Sequence, residues 1–141
     1  MSYIESSLTS GEQIRELFPP HWIVRLSIAT HFLVGLLTAG LWLPVAIYVW
    51  LRWRCTEQGV TSRRVVRKHG IISRETAEMR LGAIESIVIS QTVPGRLLGY
   101  GTVTVTGRGA GDVVLSWIAD PVRAKREIEE AEAAATPRAV S

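Results

Sequence analysis

Residues 23–51 read IVRLSIATHFLVGLLTAGLWLPVAIYVWL, with Arg25 the one fixed charge in the run. About 20 apolar residues take a helix across a ~30 Å hydrocarbon core. At ~1.5 Å per residue one helix over this run extends about 43 Å, whereas two full spans need roughly 40 residues. Two forms fit: a single tilted transmembrane helix, or a short hairpin that enters the membrane and returns. The hairpin is favoured. Thr38, Ala39 and Gly40 are the weakest helical stretch in the run, and Pro44 suits the first turn of a new helix. These four residues mark the expected hairpin turn.

The flanks agree with a membrane setting. Trp22 precedes the run and Tyr48, Trp50 and Trp53 close it. Their rings favour the headgroup level, where an apolar body and a polar tip are both satisfied. Arg52 and Arg54 follow at once, which places that end in the cytoplasm, and with a hairpin the N-terminus lies there too. The run starts after more than 20 residues and lacks a basic leader, so it is not a signal peptide.

The chain has 141 residues, 47% of them hydrophobic, and a mean hydropathy of +0.18. The run accounts for the excess and leaves enough chain for one ordinary domain. The lone Cys55 excludes an intramolecular disulfide framework and a multi-cysteine metal site.

Beyond residue 55 the texture becomes strand-like. Val65 and Val66 lie in a basic strand ending at Gly70, and residues 76–81 form a second. Residues 84–91 place Ile87 and Ile89 on one face and Ile84, Ser86 and Val88 on the other. Thr102 to Thr106 alternates threonine and valine, the pattern of a half-buried strand. Val113, Leu115 and Trp117 share a face of a further strand, and the glycine-rich residues 107–111 form the hairpin loop between them. Residues 95–99 read as a helical turn tucking Leu97 and Leu98 under the domain. Asp120 caps a C-terminal helix that begins at Pro121, with Val122, Ile128 and Ala131 as its apolar stripe. Short strands at this spacing predict a mainly β fold, a small antiparallel β-barrel or sandwich, with a C-terminal α-helix.

The series 60–66 (VTSRRVV), 70–74 (GIISR), 84–87 (IESI) and 95–103 (GRLLGYGTV), with Gly11-Glu12 and His21-Trp22 ahead of the run, resembles the bacterial pleckstrin-homology-like membrane proteins of the YdbS type. The resemblance implies a transmembrane helical hairpin followed by a PH-like β-barrel with a C-terminal helix, and the chain is expected at the bacterial cytoplasmic (inner) membrane; the resemblance does not imply an enzyme and fixes no ligand. The organisation is then an N-terminal segment at 1–20 that contributes a barrel strand, the hairpin at 21–54, the barrel and helix at 55–135, and a flexible tail at 136–141. Gly59 stands where the family has a bulky residue, which is expected to weaken that strand.

The clearest chemical feature is basic. Arg52, Arg54, Arg63, Arg64, Arg67, Lys68 and Arg74 share a window whose only acid is Glu57. Beside a membrane such a segment is drawn to anionic lipid by about 1 kcal/mol per charge. The expected partners are therefore anionic membrane lipids, with a protein partner or self-association as the other course. A structural subunit of a larger membrane assembly would use Gly35, Ala39 and Gly40 as its helix-packing surface. No helix-turn-helix or stacking platform supports nucleic-acid binding. His21, His31 and His69 lack metal-ligand spacing, and no nucleophile elbow occurs. No metal, no cofactor and no catalysis are expected.

Overall fold

Ahead of the apolar run lie one helical turn, α1 (Tyr3–Ser6), and a strand, β1 (Ile14–Leu17). The computed structural model describes residues 3–71, 75–109 and 111–135; Arg74 and the tail at 136–141 lie outside them. The run itself is two helices, α2 (Trp22–Leu37) and α3 (Leu43–Arg54). The single-helix alternative is thereby corrected. Ala39 and Gly40 take φ of +50° and +86°, a conformation that ends a right-handed helix. Thr38 Oγ1 donates to the Val34 carbonyl at 2.8 Å and the Gly40 N–H to the Gly35 carbonyl at 2.9 Å, satisfying the last turn. Pro44 sits in the first turn of α3, where its missing N–H costs nothing. At ~1.5 Å per residue α2 is about 24 Å long and α3 about 18 Å. No helix among the described residues is long and apolar enough to cross a membrane.

The β region follows as β2 (Glu57–Thr61), β3 (Arg64–His69), β4 (Glu75–Arg80), a 3₁₀ turn (Leu81–Ala83), β5 (Ile84–Ser90), α4 (Val93–Leu98), β6 (Tyr100–Gly107), β7 (Val113–Ala119) and α5 (Pro121–Ala135). The expected small barrel or sandwich is two antiparallel sheets, ordered β1-β2-β3-β4 and β5-β6-β7, and among the described residues they do not close into a barrel. Leu81–Ala83 turns the chain out of the first sheet between β4 and β5, so the ladder does not continue. The inner faces share one core. Val60, Val65 and Met79 come from the first sheet, Val103, Val105, Val113, Leu115 and Ile118 from the second, and Ala124, Ile128 and Ala131 from α5. Two antiparallel sheets with a C-terminal helix are the architecture of a PH-like fold.

Two bulges shift side chains away from simple alternation. In β7, Leu115 pairs with Val103 and Ile118 with Gly101, so two residues face one. Trp117 takes φ +58° there and turns outward, and Ile118 enters the core in its place. At Glu85 the register slips, and Ile84 joins Ile87 and Ile89 against the core. On α5 the inward residues are Pro121, Ala124, Ile128 and Ala131, while Val122 is exposed. Asp120 Oδ1 does accept from the Arg123 N–H, at 3.0 Å. Leu97 and Leu98 are not tucked under the domain; Leu97 is 82% exposed.

Gly59 has a positive reason to be glycine. It lies opposite Leu17 in the β1–β2 register, and a Cβ there would meet the Glu16 carbonyl at 2.8 Å and the Leu17 side chain at 2.9 Å. Its missing side chain is what lets β1 close on the sheet. The loop before β1 is held by Glu12, which is buried. Its carboxylate accepts from Thr61 Oγ1 at 2.7 Å, from the Thr9 N–H at 3.0 Å and from Arg64 Nε at 2.9 Å.

Burial by itself would raise the Glu12 carboxyl, but bonds from Thr9, Thr61 and Arg64 outweigh it and hold the group at about 2, against an ordinary 4.5. A carboxyl lowered on folding stabilises the folded state above its unfolded value and loses that contribution as pH falls through the folded one. The full contribution, roughly 3 kcal/mol, is present above pH 4.5 and fades between 4.5 and 2. Urea unfolding of wild type and Glu12→Gln across that window should therefore show a stability gap that narrows steadily with acidification. A pH-independent gap contradicts this account.

Candidate functional site

Strand alternation divides the basic cluster. On β3 Val65 points into the core, so Arg67 and His69 also face inward, whereas Arg64, Val66 and Lys68 face out. The charges that are contiguous in sequence do not make one face. Arg64 is a structural residue: its guanidinium bonds Glu12, Glu78 Oε2 at 2.5 Å and the Ser7 carbonyl at 2.7 Å. Arg63 is exposed and reaches the Ser10 carbonyl at 3.3 Å. Arg52 and Arg54 are exposed two residues apart on α3, and so lie on different sides of it. Arg54 stacks over Trp50 at 5.6 Å.

What the fold brings together is Arg67 from β3 and Arg52 from the foot of α3. Both line a cavity of about 90 Å³ whose other walls are Trp53, Thr56, Gln58, His69, Ser116 and Trp117. Among the described residues no carboxylate lines it. Arg67 Nε is buried and has no hydrogen-bond partner among the described residues. Burial pulls the Arg67 guanidinium below its ordinary value; Glu75 opposes the shift and Arg52 adds to it. The group stays charged, as arginine does in proteins.

Gln58 closes one wall. Its Nε2 donates to the Ser116 carbonyl at 2.9 Å and its Oε1 accepts the Ser116 N–H at 2.8 Å, linking β2 to β7. Thr56 Oγ1 donates to the Arg52 carbonyl at 2.8 Å and lies 3.2 Å from His69 Nδ1. The hydroxyl has one proton, so Nδ1 is the donor in the second contact. On the far side of Arg67 and His69 a second cavity, about 160 Å³, is lined by Glu75, Ala77, Asp112 and Val114.

An aromatic clasp fixes the foot of the hairpin beside this cavity. Trp117 stacks on Tyr100 with centroids 5.2 Å apart and meets Trp53 edge-on at 6.5 Å. Tyr100 packs against His21 at 5.4 Å, and His21 Nδ1 caps α2 by accepting the Ile23 N–H. Trp53, expected at a lipid interface, is thus engaged with the domain, whereas Trp22, Tyr48 and Trp50 are exposed. Gly35 is likewise committed within the chain: a Cβ on it would touch Leu43 backbone atoms at 3.5 Å, so α2 and α3 meet there. Ala39 and Gly40 are turn residues and present no helical face. Among the described residues no group of three or more His, Cys, Asp or Glu is placed to hold a metal ion.

Sequence reasoning missed Gln58, Thr56, His69 and Trp117 as members of the site. The period-2 signal could have supplied Arg67 and His69 as inward residues once Val65 was assigned to the core. Gln58 and Trp117 depend on how the sheets meet and on a bulge.

A family model for the bacterial PH domain matches residues 20–136, a stretch that includes both helices of the hairpin, both sheets from β2 onward and α5. No curated protein and no solved structure matches the chain.

The Gln58 link sets an expectation for stability. Gln58→Ala leaves the N–H and carbonyl of Ser116 unpaired in a part-buried place, which costs about 1–3 kcal/mol. Urea denaturation should show a loss of that order, together with a changed near-ultraviolet signal from the neighbouring Trp117 and Trp53. Unchanged stability would mean that the sheets are held by the core alone.

Proposed function

The chain belongs to the bacterial PH domain family, and from that premise we propose that it is a non-catalytic binding and scaffolding module anchored on a membrane by the α2–α3 hairpin. The observation that carries the reading is the outer surface of the hairpin. Leu36, Leu37 and Leu41 at its tip are 78%, 77% and 87% exposed, and Leu26, Leu33 and Ile47 continue the patch along both arms. Folded domains rarely leave contiguous apolar surface of this kind in water. Neither helix is long enough to span, so the hairpin dips into one side of the bilayer and returns, with both of its ends on the same face.

The opposite end of the hairpin supports the same orientation. Arg52 and Arg54 lie where α3 leaves the bilayer, the arrangement of a cytoplasmic boundary at the inner membrane. Helix α4 lies at that end as well, because Gly95 packs against Tyr100 of the aromatic clasp. Its exposed Val93 and Leu97 extend the apolar contact, and the exposed Arg52 and Arg54 attract anionic headgroups.

The full chain should float with phosphatidylglycerol-containing vesicles, and more weakly with neutral ones. Leu36→Glu combined with Leu41→Glu should lower the bound fraction by about tenfold or more, since two leucines then resist burial. Leu97→Ser should give a smaller loss. A full chain that stays in the supernatant, or a double variant that binds as well as wild type, overturns the membrane reading.

A further inference from the structure

We propose that the cavity between the foot of α3 and the inner face of β2, β3 and β7 binds a tetrahedral oxyanion of the phosphate class, with Arg67 and Arg52 as its ligands. The proposal rests on the reading of the chain as a binding module. It does not depend on whether the hairpin enters a bilayer.

Three observations lead to it. First, Arg67 Nε is a buried charged donor with no partner among the described residues. Native structures leave few such groups unsatisfied, because burial removes water without replacing its hydrogen bonds. The orphan lies on a residue that lines a cavity, so a group entering that cavity can satisfy it. Second, a like charge comes to the same cavity from another element. Arg52 and Arg67 repel each other across a space with no carboxylate among the described residues of its walls. An anion between them turns repulsion into two charge-assisted contacts, and guanidinium forks suit the oxygens of phosphate.

Third, the Gln58 and Thr56 side chains on the other walls are already engaged. Both ends of the Gln58 amide are bonded to Ser116, and the Thr56 hydroxyl donates to the Arg52 carbonyl. These groups shape the cavity, while Trp53 and Trp117 give it apolar walls that keep the local dielectric low. About 90 Å³ is room for a phosphate-sized group and not for a nucleotide. Glu75 and Asp112 face the neighbouring cavity beyond Arg67. Glu75 counters part of the Arg67 charge from that side, and two carboxylates in its walls exclude anions from that cavity, which assigns the oxyanion to the first one.

The position allows two sources of the same chemistry. Residues 52–56 are the foot of the hairpin, at the depth of lipid headgroups when the hairpin is inserted, so the phosphate is either free or that of a lipid. The test uses the full chain and its tryptophan fluorescence, since Trp53 and Trp117 line the cavity. In detergent, inorganic phosphate is titrated against chloride at constant ionic strength. In nanodiscs, phosphatidylcholine is compared with mixtures containing phosphatidic acid. A saturable change with phosphate identifies the free ion; a change confined to phosphatidic acid identifies the headgroup.

Arg67→Gln should weaken either response by about tenfold or more, the loss of a charge-assisted contact. Arg126→Gln, an exposed charge on α5, should leave it intact. In phosphate-free buffer Arg67→Gln should melt no lower than wild type, because it removes an unsatisfied buried charge; a purely structural arginine would predict a clear drop. Should Arg67→Gln fail to fold, the proposal's account of Arg67 is overturned in that respect, and Arg52→Gln, exposed at the end of α3, carries the same binding expectation. No saturable response in either arm, or variants that respond like wild type, overturns the proposal. Failure of vesicle flotation with an intact phosphate response would remove the membrane reading and leave this one standing.

Discussion

One side chain joins the two sheets where no strand ladder does. The Gln58 amide donates to and accepts from the backbone of Ser116, as a neighbouring strand would. Fixing Ser116 in this way fixes what comes next in β7. The bulge at Trp117 follows at once, and it sends the indole outward and Ile118 into the core. A bulky residue at φ +58° carries a cost of order 1–2 kcal/mol. The stacking of Trp117 on Tyr100 and its contact with Trp53 offset that cost, and they are also what holds the foot of α3 to the domain.

The foot of α2 is held by the same short stretch. Pro20 bridges Ile118, the His21 N–H donates to the Trp117 carbonyl at 2.8 Å, and the His21 ring packs on Tyr100. Residues 116–118 therefore receive the first sheet through Gln58, one helix through Pro20 and His21, and the other through Trp53. At the upper part of the hairpin α2 and α3 meet each other through Gly35 and Leu43, and Leu36, Leu37 and Leu41 at the tip are exposed. A firmly seated foot and an apolar, exposed tip is a division that makes physical sense if the tip has another solvent.

Much of this was legible from residue types alone. Ala39-Gly40 and Pro44 located the break in the apolar run because backbone chemistry is local. The alternating threonines and valines of residues 102–106 located a strand, and Asp120-Pro121 located the start of α5. The errors share a cause. Counting along one element places Trp117, Ile84, Val122 and Leu97 on the wrong side, because a neighbour decides each. A bulge opposite Thr102 decides the first, a register slip at Glu85 the second, and packing against the finished core the others. The basic window misled in the same way, since charges adjacent in sequence alternate across β3. The pair that converges among the described residues, Arg52 with Arg67, joins a helix to a strand and has no signature in spacing.

Gly59 shows how a departure from pattern can carry structure. Taken by itself, a glycine in a strand is a weakness, because it offers no side chain to pack. Here the space that side chain would fill holds the backbone of Glu16 and the side chain of Leu17. The close approach lets β1 pair with β2, and the preceding loop then buries Glu12 against Thr61 and Arg64. Arg64 is thereby withdrawn from the surface, and its strand neighbour Val66 is fully buried on the outer side of the sheet. The family match begins at residue 20, but the first sheet is complete only with the segment before it. That segment neutralises Arg64 with Glu12 and leaves Arg67, three residues on and facing the other way, as the cation of β3 whose buried Nε no described residue satisfies.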